Sequence, residues 1–451
     1  MSDGLPDPNI LPFLVKRHQE AGFHPIVALQ ESTGTAIKRE VMSVIAEGVS
    51  TPEAIDRVFV EMYSGNKSGP CRMMDQVGLD IVEFIEQHYI NERGLPSDHL
   101  DFIHKEYIQP GKLRNKTPTK GGWYPPSEGS RLRTLFLDSG LAEPLSENTL
   151  PKIMKSGRIL KLPSELAQHP IELLGGQALP DGLDYCSADS HLYWTCMGVP
   201  SVNDGAVYGA ELGLDGIKGD IKTVVQAGDV HTPKQLVVDQ QTKKIYFCDR
   251  EGLRVMRVNT DGSELETIVQ NGDWTDDRQS EDQHKWCVGI TVAPSVGKFF
   301  WTQKGSSKAT QGRIFSANID MPQGQNASSR TDIQVVMDKL PEPIDLEFDE
   351  TSEELYWTDR GELPFGNTLN KKHMPKGLSD RGGLGNGQVI LVQGFGETIG
   401  LDIDFEQRVA YVTDLGGRLW KVQLDGTGSK LKEKLYERDT GSFTGVTFIR
   451  N

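Results

Sequence analysis

The chain has 451 residues, 37% hydrophobic and 25% charged, with a formal charge of −16 at pH 7. That length holds two or three domains, and that charge excludes bulk attraction to nucleic acid. No apolar run approaches the roughly 18 residues needed to span a bilayer, and the opening MSDGLPDPNI lacks the pattern of a signal peptide. The expectation is a cytoplasmic protein with no membrane and no nucleic-acid partner. The five cysteines, Cys71, Cys186, Cys196, Cys248 and Cys287, form no CxxC and read as reduced thiols.

Residues 1–125 carry helical patterns. Ser50-Thr51-Pro52-Glu53 is a helix start, with a capping box and an early proline, followed by Ile55, Val58, Phe59 and Met62 on one face. Residues 71–90 place Met74, Val77, Ile81, Phe84 and Ile85 at helical spacing, and Ser97 opens a helix with Leu100, Ile103 and Tyr107 on one side. Past Gln109 the text turns to Pro, Gly, Lys and Thr, and a linker ends near Pro126.

The stretches EGVSTPEAIDRVF, GPCRMMDQVGLDIVEFIEQHY and GKLRNKTPTKGGWYPP, in this order and spacing, resemble the C-terminal helical domain of 3-hydroxyacyl-CoA dehydrogenases. In that family a dinucleotide-binding domain precedes this segment and holds the catalytic His–Glu pair. Here no GxGxxG follows a strand, and Glu31-Ser32-Thr33-Gly34 runs almost directly into Ala36-Ile37-Lys38-Arg39-Glu40, without the family's Asn-Arg pair. The expectation is no NAD, no other cofactor and no hydride transfer. The resemblance implies a packing module or a homodimer formed through the helical domain.

From residue 126 to 451 the chain repeats itself. LYWTC at 192–196, IYFCD at 245–249, FFWTQ at 299–303, LYWTD at 355–359 and AYVTD at 410–414 are one motif, with LFLDS at 135–139 a weaker copy. All but the last follow a first strand, and these strands start at 183, 236, 290, 346 and 401, spaced by 53, 54, 56 and 55 residues. A period of this length with about four strands is that of a propeller blade. LFLDS lacks a first strand, and VTFI at 446–449 lacks a second. Pairing the two closes a six-bladed propeller and removes its open edges. The fold class is therefore mainly β, a six-bladed propeller with a small N-terminal α-helical domain.

This region resembles YWTD-type propellers, the low-density-lipoprotein-receptor class B repeat group, in their intracellular fungal form. The resemblance implies that the Trp packs between blades and that Asp249, Asp359 and Asp414 are structural. It also implies a tie to fungal propellers of natural-product pathways, hetero-Diels–Alder catalysts among them.

The natural pocket of a propeller is the end of the channel where inner strands begin. Residues leading into those strands are Asp181, His231, Lys234, His284, Trp286, Glu342, Ile344, Glu397, Ile399, Phe443 and Thr444; loops after the second strands bring Asn203, Asp204, Arg250, Glu251, Lys304, Arg360 and Glu362. Such a mixed lining suits a small apolar molecule with a few polar handles. The catalytic candidates are His284, Glu342 and Arg360; Trp286, His231, Lys234, Arg250 and Lys304 are the substrate-binding ones. The plainer reading makes His231 and His284 turn caps and is favoured over a catalytic role, and it makes the arginines bridges to the structural aspartates. No metal site is expected, because Lys234, Ile344 and Ile399 interrupt the acids that a Ca²⁺ site would need. No Ser-His-Asp order, P-loop or zinc spacing is visible. The reading is a cofactor-independent cyclase, isomerase or pericyclase of secondary metabolism, with a non-catalytic scaffold as the rival and a metal-assisted lactonase as the third.

Overall fold

The computed structural model describes residues 37–62, 69–114, 121–124, 132–142, 150–162, 169–199, 201–213, 216–375, 382–383, 387–425 and 431–450. The chain falls into two compact units that part between Leu132 and Arg133. The Glu31–Gly34 stretch lies outside the described residues. No described helix is long and apolar enough to cross a membrane.

The first unit is helical. Helix α1 spans 37–46, α2 Pro52–Met62, α3 Pro70–Val77, α4 Leu79–Arg93 and α5 Asp98–Ile103, which runs into a π turn at His104–Ile108. The Thr51 hydroxyl accepts from Ala54 N at 3.3 Å, as its place before the helix requires. Residues 71–90 are not one helix. Gly78 takes φ 116°, open to glycine but not to other residues, and Leu79 N turns to Leu113 O at 2.6 Å. The break re-aims α4. Leu79, Val82, Glu86, Tyr89 and Ile90 are buried, whereas Phe84, expected on the apolar face, is 62% exposed. Asp56 holds the unit together by accepting from Cys71 N and Arg72 N, both at 2.8 Å, and from the Tyr124 hydroxyl at 2.6 Å.

The second unit is a propeller of six sheets. Blade one combines Phe443–Arg450 from the end of the chain with Leu132–Asp138, Gly157–Leu162 and Ile171–Gln177, so the closure read from VTFI and LFLDS is present. Blade two is Pro180–Cys186, His191–Cys196, Ala206–Leu212 and Ile217–Val225; blade three is Pro233–Asp239, Lys244–Asp249, Arg254–Asn259 and Glu266–Gln270. Blade four is Cys287–Ala293, Lys298–Gln303, Gly312–Asn318 and Gln334–Leu340. Blade five is Pro343–Asp349, Glu354–Asp359, Thr368–His373 and Val389–Gln393; blade six is Thr398–Asp404, Val409–Asp414, Arg418–Gln423 and Lys432–Glu437. Part of the glycine-rich stretch, Gly382–Gly383, runs parallel to the outer strand of blade four at Met337–Asp338.

Both faces of the second strands are buried, which departs from a half-buried sheet. Leu355 and Trp357 pack with blade four, while Tyr356 packs with blade six. Trp194 and Trp301 likewise lie in clusters shared with the preceding blade. The aspartate of the motif caps the loop that leads into its own inner strand. Asp249 accepts from His231 N (3.0 Å) and Thr232 N (2.7 Å), and Asp359 from Glu342 N (3.0 Å) and Gly361 N (2.9 Å).

The threonine of the motif joins blades. In each blade from two to six the inner strand shifts register near its start. In four of them a threonine hydroxyl accepts the amide freed there and donates to a carbonyl of the next blade. Thr195 takes Gly182 N and gives to Lys234 O, both at 2.8 Å; Thr302 takes Gly289 N (2.8 Å) and gives to Ile344 O (2.7 Å). Thr358 bridges Asp345 N (3.0 Å) and Ile399 O (2.8 Å), and Thr413 bridges Gly400 N and Thr444 O. Cys248 stands in this place in blade three, its thiol on Gly289 O at 3.2 Å. The inner strands approach so closely that a Cβ at Gly289 would lie 1.8 Å from Ile344 O.

Thr302→Val keeps the shape and removes both bonds, leaving a buried N–H and a buried C=O unpaired. The expected loss is about 2 to 5 kcal/mol in urea unfolding, with Thr302→Ser near wild type. A loss under about 0.5 kcal/mol for Thr302→Val would contradict the bridging role.

Candidate functional site at the channel mouth

The mouth is built by two rings of equivalent positions. In five blades the residue after the second strand donates its amide to the residue just ahead of the inner strand: Ser139 to Ser442 at 2.9 Å, and Met197 to Leu179, Arg250 to Thr232, Arg360 to Glu342 and Leu415 to Glu397, each at 3.0 Å. Strand register puts Lys304 and Trp286 in these places in blade four. Cations thus occupy one position in three consecutive blades, as Arg250, Lys304 and Arg360.

These side chains reach across blades. The Arg250 guanidinium lies 4.8 Å from the centre of the Trp286 ring, and Lys304 Nζ lies 5.6 Å from it. Lys304 Nζ also donates to Glu342 Oε1 at 3.0 Å, the atom on which Arg360 closes at 2.8 Å. Glu342 is 1% exposed and accepts further from Ser307 Oγ and Lys308 N through Oε2, both at 3.4 Å. Arg250 pairs with Glu251 and Arg360 with Glu342, rather than with the structural aspartates; Arg254 is the residue that pairs with Asp249, at 2.8 Å. On the other side Lys234 Nζ meets Asp181 Oδ1 at 2.5 Å. Beneath them Val288, Ile344 and Ile399 pack with Leu415 into an apolar floor.

Burial shapes the charges. It lowers the Lys304 ammonium below the usual lysine range, with Glu342 opposing, and lowers Lys234 against the pull of Asp181. Burial alone would raise Glu251, but its bonds to Arg250 hold it below the ordinary value.

The structure therefore brings Trp286, Glu342, Arg250, Lys304 and Arg360 together, with Lys234 next to them. His231 is buried behind this wall, with Nδ1 2.8 Å from the Thr232 hydroxyl and its ring against Trp274 at 5.4 Å. His284 stands apart. It is exposed, sits in a 3-10 turn at Gln283–Lys285, and lines a pocket with Trp301, Arg313 and Phe315 between blades three and four.

Sequence reasoning missed the channel below the floor. Asp184, Asp345, Glu347 and Asp402 face an enclosed space of about 10 Å³, room for about one water. Three of these carboxylates accept an amide from the next blade: Asp184 from Val238 N (2.7 Å), Asp345 from Leu401 N (2.9 Å) and Asp402 from Phe448 N (2.8 Å). Burial pushes Asp184 up to about 6 and, with Asp184 beside it, Asp402 up to about 7; it raises Asp345 and Glu347 well above the carboxylate range. Acids in LDY, IDLEF and LDID were the available signal.

Folding therefore takes up protons here between the unfolded carboxylate value of about 4 and the folded values. For Asp184 and Asp402 the stability that this supplies is full below about pH 4 and is lost as pH rises through about 6 to 7. Asp402→Asn, which still accepts from Phe448 N, should gain stability relative to wild type as pH goes from 5 to 8 in thermal melts. A difference that does not change with pH would contradict shared protons in the channel.

Comparison with known proteins fits this architecture. The family described as 3-hydroxyacyl-CoA dehydrogenase, C-terminal domain, matches residues 32–124. A protein of Pyricularia oryzae named low-density lipoprotein receptor-related protein 1 is 38% identical over 321 residues, covering 70% of this chain and 98% of that one. A chain of the nidogen/laminin complex shares the fold at a TM-score of 0.50 and 17% identity, covering 70% of this chain and 98% of that chain. The 3-hydroxyacyl-CoA dehydrogenase-like protein LAM1 of Cochliobolus heterostrophus is 41% identical over 466 residues, 99% of this chain and 94% of that protein. With both units matched along nearly their whole length, the chain belongs to the family of this LAM1 protein.

Proposed function

We propose that this protein is a cofactor-independent, non-redox enzyme of small-molecule metabolism that isomerises or cyclises an organic substrate at the channel mouth. The observation that carries the reading is the run of Arg250, Lys304 and Arg360. Their side chains are only 19%, 9% and 23% exposed, yet they come from three separate blades and converge on Trp286 and Glu342. With Lys234, four cations gather there, beside the buried carboxylates Asp181, Glu251 and Glu342, in a partly desolvated site.

These clustered donors suit an oxygen on which negative charge develops during enolisation or ring closure. Lys304 and Arg250 would donate to the substrate carbonyl oxygen. The lowered affinity of Lys304 for its proton makes it the readier acid of the two. Glu342, engaged by Lys304, Arg360, Ser307 and Lys308, is a positioning residue that fixes the donors. The apolar body of the substrate would rest toward Val288, Ile344 and Ile399.

The test incubates purified protein with a small-molecule extract of its source organism and follows it by mass spectrometry, with no nucleotide added. A new product of unchanged mass is expected. Lys304→Met and Arg250→Met, with melting retained, should slow its formation by about 10²–10³-fold. A conversion that requires added NAD and shifts mass by two hydrogens would overturn the reading, as would folded variants at full rate.

A further inference from the structure

Two polar groups of blade four lack, among the described residues, partners that their counterparts in certain other blades have, and the two residues line one pocket. The first concerns its tryptophan. In blade two the Trp194 indole N–H donates to Gln177 Oε1 at 2.8 Å, at the end of the preceding blade's outer strand. Gln177 pairs with Gly157, next to Arg158; Asn271 donates its amide to Leu253 O, next to Arg254, and is the equivalent residue ahead of blade four. Asn271 is one methylene shorter, and its side-chain amide goes to Lys285 O (3.2 Å) and Cys287 Sγ (3.1 Å). Trp301, the counterpart of Trp194, is 1% exposed, and its indole N–H has no partner among the described residues.

The second departure concerns charge. Arg158, Arg254 and Arg418 each sit opposite the aspartate that ends the second strand, and pair with Asp138, Asp249 and Asp414 at 3.1, 2.8 and 3.9 Å. In blade four that aspartate is Gln303, opposite Arg313. Arg313 Nη2 donates to Gln303 Oε1 (2.7 Å) and His284 O (2.6 Å), but its Nε is buried without a partner among the described residues. Asp282, on the rim, is the carboxylate that acts on it.

Trp301 and Arg313 both line an open pocket of about 370 Å³. Trp301, Phe315 and Ile333 form its apolar wall, with the Trp301 and Phe315 rings stacked at 5.3 Å; Arg313, His284 and Asn271 stand on the polar side. Trp357 shows that an unpartnered indole does not by itself make a site. Its Nε1 also lacks a partner among the described residues, but Leu340 occupies the equivalent position and packs into the same apolar cluster.

We propose that this pocket, distinct from the channel mouth, binds a small planar organic acid. Its carboxylate supplies the acceptors that Gln177 and the motif aspartates supply in other blades, taking bonds from the Trp301 indole and Arg313 Nε. Its ring or conjugated chain lies along Phe315 and Ile333. A carboxylate is fitted because it only accepts, and because its bond to a guanidinium is charge-assisted.

The full chain is titrated with benzoate and with benzamide by ligand-observed NMR. Benzoate should bind saturably and at least about 10-fold more tightly than benzamide, and Trp301→Phe and Arg313→Gln should each weaken it by about 10-fold with melting retained. No saturable binding, an amide that binds as tightly as the acid, or unchanged affinity in a folded variant would overturn the proposal. If Trp301→Phe does not fold, Arg313→Gln decides alone. Benzoate binding that disappears in Lys304→Met would place the acid at the mouth and overturn the proposal as well.

Discussion

A hydroxyl between two inner strands is the interaction on which this propeller depends. In blades two to six the inner strand shifts register where the channel begins, which frees an amide that the sheet cannot use. Thr195, Thr302, Thr358 and Thr413 satisfy that amide and spend their own proton on the next blade. Within a blade the sheet ladder holds strands; between blades most of the attraction is apolar and without direction. The hydroxyl bridges add direction and set how far one blade is rotated from the next. In blade one, where Leu137 stands at the threonine position, Thr444 on the inner strand donates to Pro180 O at 2.9 Å and completes the circuit.

The mouth and the channel follow from this spacing. Because equivalent positions are brought to equivalent places, single substitutions around the ring create a site without new backbone. Arg250, Lys304 and Arg360 are three such choices, and Trp286 and Glu342 are two more in the facing ring. The same logic fills the channel with Asp184, Asp345, Glu347 and Asp402, whose hold on protons is strengthened by burial. The outer pocket of blade four is lined by Asn271, where blade one has Gln177, and by Gln303, where four other blades have an aspartate.

Much of this was legible in the sequence, for a physical reason. A repeat of aromatic strands with a fixed spacing has one economical packing, and a first strand missing at Leu135 with a second missing at Val446 leaves one way to close it. The three cations were legible because they follow the motif directly. His284 was not. It stands two residues before Trp286, and a 3-10 turn capped by Asp282 carries it to the flank of the blade. Gly78 was equally silent, since helical spacing continues through it and only its φ of 116° shows the break. The channel acids were overlooked because an acid alternating with apolar residues reads as a solvent-facing strand position. Here both faces of the strand are covered and the channel is closed.

The claim that hydroxyl bridges make the six blades one cooperative ring is tested most directly by native-state hydrogen exchange at Gly182, Gly289, Asp345 and Gly400, the four amides that the threonines accept. Their opening free energies should coincide with each other and with the global unfolding free energy, and fall together as denaturant is added. Four distinct values, with one blade opening well below the global transition, would show blades held independently and contradict the account.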